Sequence, residues 1–293
     1  MDVRAFAPGF PDMLMVQGGY QLKPPLPFTP CTEFSGIISA IGADIAGLKV
    51  GDAVMGSIRY GAASEQVTAR ASDCMPKPAA FGFDEAAAFL VAYKTAYVGL
   101  IVRGTLKAGE TALIHGAAGG VGLAAVEIAK REGAQVIAMA SGKHKLEILE
   151  SRGADQVLDY SVGRFRETIK ALTDGAGADV IYDPIGGDVF DESTRCIAPF
   201  GRLLVIGFAG GRIPTVAANH ALIKQYAVIG VRAGEYGRIN PGGGTAVNQA
   251  LSEMAIAGQV SPYVYASYRF DQLKDAFDTI KSREVVGRVV VVL

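Results

Sequence analysis

Apolar and polar positions along the chain fall into two textures. From about residue 110 onward, short apolar runs alternate with segments of helical period. The runs are TALIHGA (111–117), QVIAMAS (135–141), QVLDY (156–160), DVIYDPI (179–185), RLLVIGF (202–208) and AVIGVRA (227–233). Helical patterns lie between them near 120–132, 143–152, 164–173, 188–198 and 217–226. Strands that are apolar on both faces and joined by helices predict a parallel sheet covered on each side, a doubly wound α/β domain. Residues 1–90 differ: β-like runs such as SGIISAI (35–41) and DAVMGS (52–57) surround KPPLPFTP (23–30), whose prolines exclude helix. From Ser261 the chain returns to a β-rich texture and ends in GRVVVVL. The simplest organisation is discontinuous, with 1–90 and 261–293 forming one β-rich domain and 91–260 the α/β domain.

Composition narrows the function classes. Half of the 293 residues are apolar and 19% are charged, enough to bury sizeable cores. With 28 basic against 29 acidic residues the net charge is −1, which offers no electrostatic case for nucleic acid or an anionic membrane. Cys31, Cys74 and Cys196 stand far apart, and with His115, His144 and His220 they supply neither a disulfide framework nor a zinc ligand set. The opening MDVRAFAPGF lacks the pattern of a secretory leader. The most apolar long stretch, EAAAFLVAYKTAYVGLIV, carries Lys94 in its middle. These features predict a cytoplasmic protein that acts on small molecules.

The chemistry concentrates at HGAAGGVG (115–122), where the first α/β strand runs into a helix. In the G-x-G-x-x-G window 117–122, Ala117 takes the first glycine's place, followed by Gly119 and Gly122. A strand, this turn and a helix are the context that a dinucleotide site requires. Gly119 lets a pyrophosphate approach the helix N-terminus, and Gly122 lets helix and strand pack closely. Val121, Ala124, Ala125, Ile128 and Ala129 form the stripe that should face the sheet, placing Glu127 and Arg131 on the outer face. An NAD site usually carries an acid at the end of the second strand. Here the strand ends Ala138-Met139-Ala140-Ser141, followed by Gly142-Lys143-His144-Lys145, with no acid. Cations at a helix N-terminus oppose the macrodipole unless a phosphate offsets them, which points to NADPH. The alternative is a solvated charge run with Ser141 capping the helix. His115 reads as a strand-end residue rather than a base, and nicotinamide chemistry requires no base there.

In order along the chain, PPLPFTPCTEFSG (24–36), VGDAVMG (50–56), HGAAGGVGLAAVEIA (115–129), DPIGGDVF (183–190), GRLLVIGFAGG (201–211) and GRVVVVL resemble the zinc-independent, zeta-crystallin-like quinone oxidoreductase family of the medium-chain dehydrogenase/reductase superfamily. The resemblance implies a GroES-like catalytic domain built from both chain ends, a Rossmann-type NADPH domain and a homodimer joined along the AVIGVRA strand. It also implies roles by position. Gly119, Gly120 and Val121 match the pyrophosphate loop. Lys145 matches the lysine that pairs with the 2′-phosphate, Tyr160 packs on the same end, and Ser141 is a supplementary donor. Thr95 matches a residue near the nicotinamide and phosphates, Phe208 and Ala209 the loop beside the nicotinamide, and Arg283 a basic cofactor contact in the tail. Tyr20 matches a tyrosine lining the quinone pocket, where a phenol stacks on the substrate or donates to its carbonyl oxygen.

Three departures stand out. In APGFPD (7–12), Gly9 occupies the position of an asparagine that the family places near nicotinamide and substrate. Cys31 replaces a usual glycine, as either a reactive thiol or a small buried filler. Val3 already lies inside the catalytic domain, so an N-terminally shortened domain is expected. The implied activity is NADPH-dependent, metal-free reduction of quinones or related activated enones. Enoyl-thioester or 2-alkenal reduction, and non-catalytic NADPH binding, remain as alternatives.

Overall fold

The computed structural model describes the backbone of all 293 residues and every side chain except that of Val162. The chain divides into two compact units, Met1–Val91 with Asn248–Leu293, and Ala92–Val247.

The second unit is the α/β body. Its strands are β5 (Thr111–Ile114), β6 (Gln135–Ala140), β7 (Gln156–Asp159), β8 (Ala178–Asp183), β9 (Ile197–Val205) and β10 (Ala227–Gly230). They lie in the order β10-β9-β8-β5-β6-β7, and every pair is parallel. The chain runs outward from β5 to β7, then returns to β8 and runs outward the other way. This reversal opens a crevice at the carboxyl ends of β5 and β8, the switch point at which doubly wound sheets receive ligands. The apolar runs predicted these strands, with one difference. β9 begins at Ile197, and its register against β8 shifts after Ala178. Pro199-Phe200-Gly201 interrupts the ladder there, with Phe200 in the left-handed region at φ 60.

The Gly120–Arg131 helix departs from the expected amphipathic pattern. Leu123, Val126 and Glu127 are buried along with the sheet-facing stripe, while Arg131 is exposed as expected of an outer-face residue. Glu127 therefore does not lie on an outer face. Its Oε1 accepts from Arg152 Nη1 at 2.7 Å and its Oε2 from the Tyr93 hydroxyl at 2.7 Å. A charge can be buried here because each oxygen is satisfied.

The first unit has a mixed six-stranded sheet in the order β11-β12-β1-β2-β3-β4. Its strands are β1 (Asp2–Phe6), β2 (Glu33–Ile37), β3 (Ala53–Ser57), β4 (Cys74–Pro76), β11 (Val264–Arg269) and β12 (Arg288–Val292). β12 is antiparallel to β1 and parallel to β11, so both chain ends share one sheet. The Leu273–Lys281 helix makes the crossover between β11 and β12 and packs Leu273, Ala276, Phe277 and Ile280 into the core. The Pro241–Ile256 helix was not expected, given Gly242-Gly243-Gly244 near its start, yet it buries Val247, Leu251, Met254 and Ala255 at helical spacing. Cys31 is fully buried at φ 68, a backbone region natural to glycine, and burial pushes its thiol pKa up.

Replacing Arg152 with Ala leaves the Glu127 carboxylate without its guanidinium. We expect a loss of about 1–3 kcal/mol, moderated because the arginine is partly exposed, read as a lower urea midpoint at unchanged slope.

Candidate functional site

The crevice at the switch point is built from three loops of the α/β unit. The first follows β5. Gly116 takes φ 54, a left-handed conformation that reverses the chain toward the helix. Its carbonyl then lies over the first helical turn. A Cβ on Gly122 would sit 2.2 Å from that oxygen and 2.7 Å from Ala117 Cα, so only glycine fits. At Gly119 the nearest atom to such a Cβ is 3.4 Å away, an ordinary contact. The closest approach in the turn is thus between Gly116 and Gly122, and Gly116 falls one residue before the motif window. Gly119 is the N-cap and has no side-chain cap; Gly119, Gly120 and Val121 are half-buried. The first-turn N–H groups therefore present an anion-binding terminus.

The second and third loops follow β8 and β9. Buried Asp183 accepts from the N–H groups of Ile185 at 2.8 Å and Gly186 at 3.0 Å, turning the chain away from the strand. Burial raises the Asp183 pKa against the lowering by these two donors. The Ala209 N–H donates to Pro184 O at 3.0 Å and the Gly210 N–H to Ile185 O at 2.8 Å. A Cβ on Gly116 would lie 2.9 Å from Ile185 Cδ1, and one on Gly186 3.0 Å from Phe208 Cδ1. Phe208 and Ala209 are thereby packed on the loop after β8, and that loop packs its Pro184 and Ile185 against Gly116.

A hydrogen-bonded chain beneath the turn holds it in place. The Gly116 N–H donates to Tyr160 Oη at 3.0 Å, and Tyr160 Oη lies 3.2 Å from His115 Nδ1. His115 Nε2 lies 2.8 Å from Ser193 Oγ, which donates to Val189 O at 2.7 Å. The ends of this chain set its direction. Ser193 spends its proton on a carbonyl, so His115 must donate from Nε2, which leaves Nδ1 to accept from the Tyr160 hydroxyl. His115 is fully buried, and desolvation pushes its pKa down to about 3, keeping it neutral. Burial also raises the Tyr160 pKa, so the phenol keeps its proton. The Tyr160 hydroxyl is therefore engaged with the loop backbone and His115.

At the end of β6, Ser141 and Gly142 are exposed, and Gly142 is the N-cap of the Lys143–Ser151 helix at φ 94. No side chain caps this helix, so Ser141 does not play the capping role that was one of its two readings. Asp159, at the end of β7, accepts from the N–H groups of Ser161 at 2.8 Å and Gly142 at 2.9 Å. Those backbone donors hold its carboxyl below the usual range. Lys143 reaches Glu147 at 3.7 Å, and Lys145 is half-buried on the first turn. Thr95 is half-buried on the Leu90–Tyr97 helix. Tyr20 and Arg283 belong to the other unit, Tyr20 half-buried after the Phe10–Val16 helix and Arg283 exposed at φ 62. Among the described residues no group of three His, Cys, Asp or Glu side chains could hold a metal ion, and no helix is long and apolar enough to cross a membrane.

Comparison with known proteins agrees with this architecture. The zinc-binding dehydrogenase family matches residues 120–254, and the alcohol dehydrogenase GroES-like domain matches residues 1–101. A quinone oxidoreductase-like protein 2 homolog of Nematostella vectensis is 37% identical over 285 residues, covering 96% of this chain and 78% of the relative. The solved quinone oxidoreductase of Pseudomonas syringae is 28% identical with a TM-score of 0.91, covering 100% of this chain and 90% of that one. The quinone oxidoreductase of Thermus thermophilus, solved also in complex with NADPH, is 27% identical with a TM-score of 0.84 over the same shares of 100% and 90%. The fold and these likenesses define an oxidoreductase of the medium-chain dehydrogenase/reductase type. Within that class the chain belongs to the zinc-independent quinone oxidoreductase family.

Two outcomes follow from the turn and the chain beneath it. Gly122→Ala forces the Gly116 carbonyl away from the helix and should weaken nicotinamide-dinucleotide binding by about tenfold or more, measured by cofactor fluorescence in a preparation shown folded by circular dichroism. His115 titrates far lower folded than its ordinary value near 6.5. Its contribution to stability is complete above that ordinary value. It is lost as the pH falls toward 3, because the unfolded chain binds the proton first. Urea unfolding between pH 6.5 and 4 should show this acid sensitivity in the native protein, with a shallower slope in His115→Gln.

Proposed function

We propose that the protein is an NADPH-dependent oxidoreductase that reduces quinones or related activated enones without a metal. The observation that carries this reading is a pair of helix starts in the α/β unit whose N-cap residues, Gly119 and Gly142, carry no capping side chain. One follows the glycine turn at the switch point, and the other carries Lys143, His144 and Lys145 at the end of β6. The first suits a pyrophosphate; at the second the Asp159 carboxylate takes the N-cap N–H, and Lys143 and Lys145 offer ammonium donors to a 2′-phosphate.

In this reading Gly119, Gly120 and Val121 form the pyrophosphate loop: the N–H groups of Gly120 and Val121 face the phosphates, while the Gly119 N–H donates to Gly116 O at 3.0 Å and holds the turn. Ser141 and Lys145 receive the 2′-phosphate, and Arg283 adds positive charge. Thr95, Phe208 and Ala209 position the nicotinamide end. Tyr160 acts through Gly116, fixing the turn rather than touching the phosphate. When bound, the nicotinamide supplies the hydride equivalent. The protein's part is to hold acceptor and cofactor in register, with the Tyr20 phenol donating to the acceptor's carbonyl oxygen. Gly9 in place of the family's asparagine favours a second reading, NADPH binding without turnover. The reading extends to a homodimer: β10 is the outer strand of its sheet, with Leu222 and Ile223 exposed on the preceding helix.

The test is NADPH oxidation by the purified chain with ortho-quinones, para-quinones and 2-alkenals, with NADH in parallel. Turnover favouring NADPH supports the reductase, and binding without turnover supports the second reading. Lys145→Ala should weaken NADPH by about 1–3 kcal/mol, the scale of a charge-assisted contact, and leave NADH nearly unchanged. Equal losses for both cofactors would sink the 2′-phosphate assignment.

A further inference from the structure

The first unit contains a second cluster, assembled from segments far apart in sequence. Glu33 opens β2, is 1% exposed, and accepts the Val91 N–H at 2.9 Å. It pairs with Arg288 Nη2, which also donates to Ala7 O at 3.2 Å. Buried Asp12 accepts the Gly9 N–H on Oδ2 at 2.8 Å, while its Oδ1 has no partner. The remaining Arg288 nitrogens are not satisfied. Nε is buried without a partner, and Nη1 takes no hydrogen bond among the described residues. The side chain keeps 11% of its surface exposed.

Gly9 explains why the guanidinium can stand there. A Cβ on residue 9 would lie 3.0 Å from Nη1 and 3.6 Å from Nη2. Arg288 thus fills the space that a side chain at residue 9 would need. At the position where the family resemblance implies an asparagine amide, this chain offers a charged N–H donor.

We propose that Arg288 Nη1 is a subsite for an anionic oxygen of the acceptor, which makes acceptors bearing a carboxylate or phenolate the favoured class. The proposal rests on the reductase reading for the term acceptor, while the anion site itself rests on the first unit alone. A phosphate of the cofactor is the other source of anionic oxygen. It is disfavoured because the α/β unit provides its own two phosphate-binding helix starts. Charge balance makes the site pH-dependent. Asp12 is faced by Arg288 from β12, Glu33 from β2, Cys31 and Thr32 from the preceding loop, and the N–H of Gly9. Burial pushes Asp12 up to about 7 against the lowering by Gly9 and Arg288. Burial also raises the Cys31 thiol, which stays neutral. Burial raises Glu33 as well, against the lowering by Arg288 and the Val91 N–H, and below neutrality the Asp12 carboxyl adds no charge beside Arg288. Above it the Asp12 carboxylate ionises beside Arg288 and opposes an incoming anion.

Benzoate, ionised throughout the range, is the probe, with benzamide as its neutral counterpart. Calorimetry on the full chain at pH 6 and pH 8 should show benzoate binding several-fold more weakly at pH 8, with benzamide indifferent to pH. Gly9→Ala crowds Nη1 and should weaken benzoate about tenfold without changing NADPH affinity. Gly9 has extended backbone, φ −137, that alanine also adopts. Asp12→Asn should keep the pH 6 affinity at both pH values. Benzoate affinity that is flat with pH, or equal in Gly9→Ala and the native chain, overturns the proposal. Displacement of benzoate by saturating NADPH also overturns it, because the oxygen would then be a cofactor phosphate. If NADPH fails to bind while benzoate behaves as expected, the cofactor reading falls and the anion site stands.

Discussion

The α/β unit depends on one close approach, the Gly116 carbonyl resting where Gly122 lacks a Cβ. That contact sets how far the turn can sink against the helix, and so where the first-turn N–H groups point. It also commits the chain around it. Gly116 must adopt left-handed backbone, and its N–H must find an acceptor beneath the turn. Tyr160 provides that acceptor from beyond β7, and its proton then requires a neutral His115 with an open Nδ1. A steric condition on one glycine is in this way transmitted to the protonation state of a histidine.

The two units manage buried titratable groups in opposite ways. In the α/β unit, burial holds His115 neutral and the hydrogen-bonded chain fixes its tautomer, so it has no second state near neutral pH. In the β-rich unit, Asp12 retains an oxygen without a partner and lies beside a guanidinium with nitrogens to spare. A fully satisfied network is rigid, whereas a partly satisfied one is where a ligand gains most by entering. The difference separates a residue that shapes a site from one positioned to respond to it.

Much of the architecture was legible because period is a local property. The doubly apolar runs marked every strand of the α/β sheet, and the glycine turn lay where strand passes into helix. What the residues concealed was non-local or masked by composition. Glu127 looks like an outer-face residue until Arg152 and Tyr93 come to meet it. The Pro241–Ile256 helix hides behind consecutive glycines, though the spacing of Val247, Leu251 and Met254 was there to be counted. Gly116 escaped the motif because the fingerprint starts one residue later. The Asp12, Glu33 and Arg288 cluster lay in three segments noted separately, APGFPD, TEFSG and GRVVVVL. No spacing argument joins residues separated by 255 positions.

The sheet shared by both chain ends has a consequence for how the protein is made. β1 pairs with β12, Ala5 opposite Val292, so its partner strand is made only after the whole α/β unit. The α/β unit is continuous, so its strands can pair as they emerge, at translation rates of about 5–20 residues per second. The β-rich unit has no such option. β1 must wait, one edge open, until β12 has been made, and such a strand is a target for mispairing. Nascent chains stalled before Arg288 should thus hold a formed α/β unit and a first unit whose β1 edge is still unpaired.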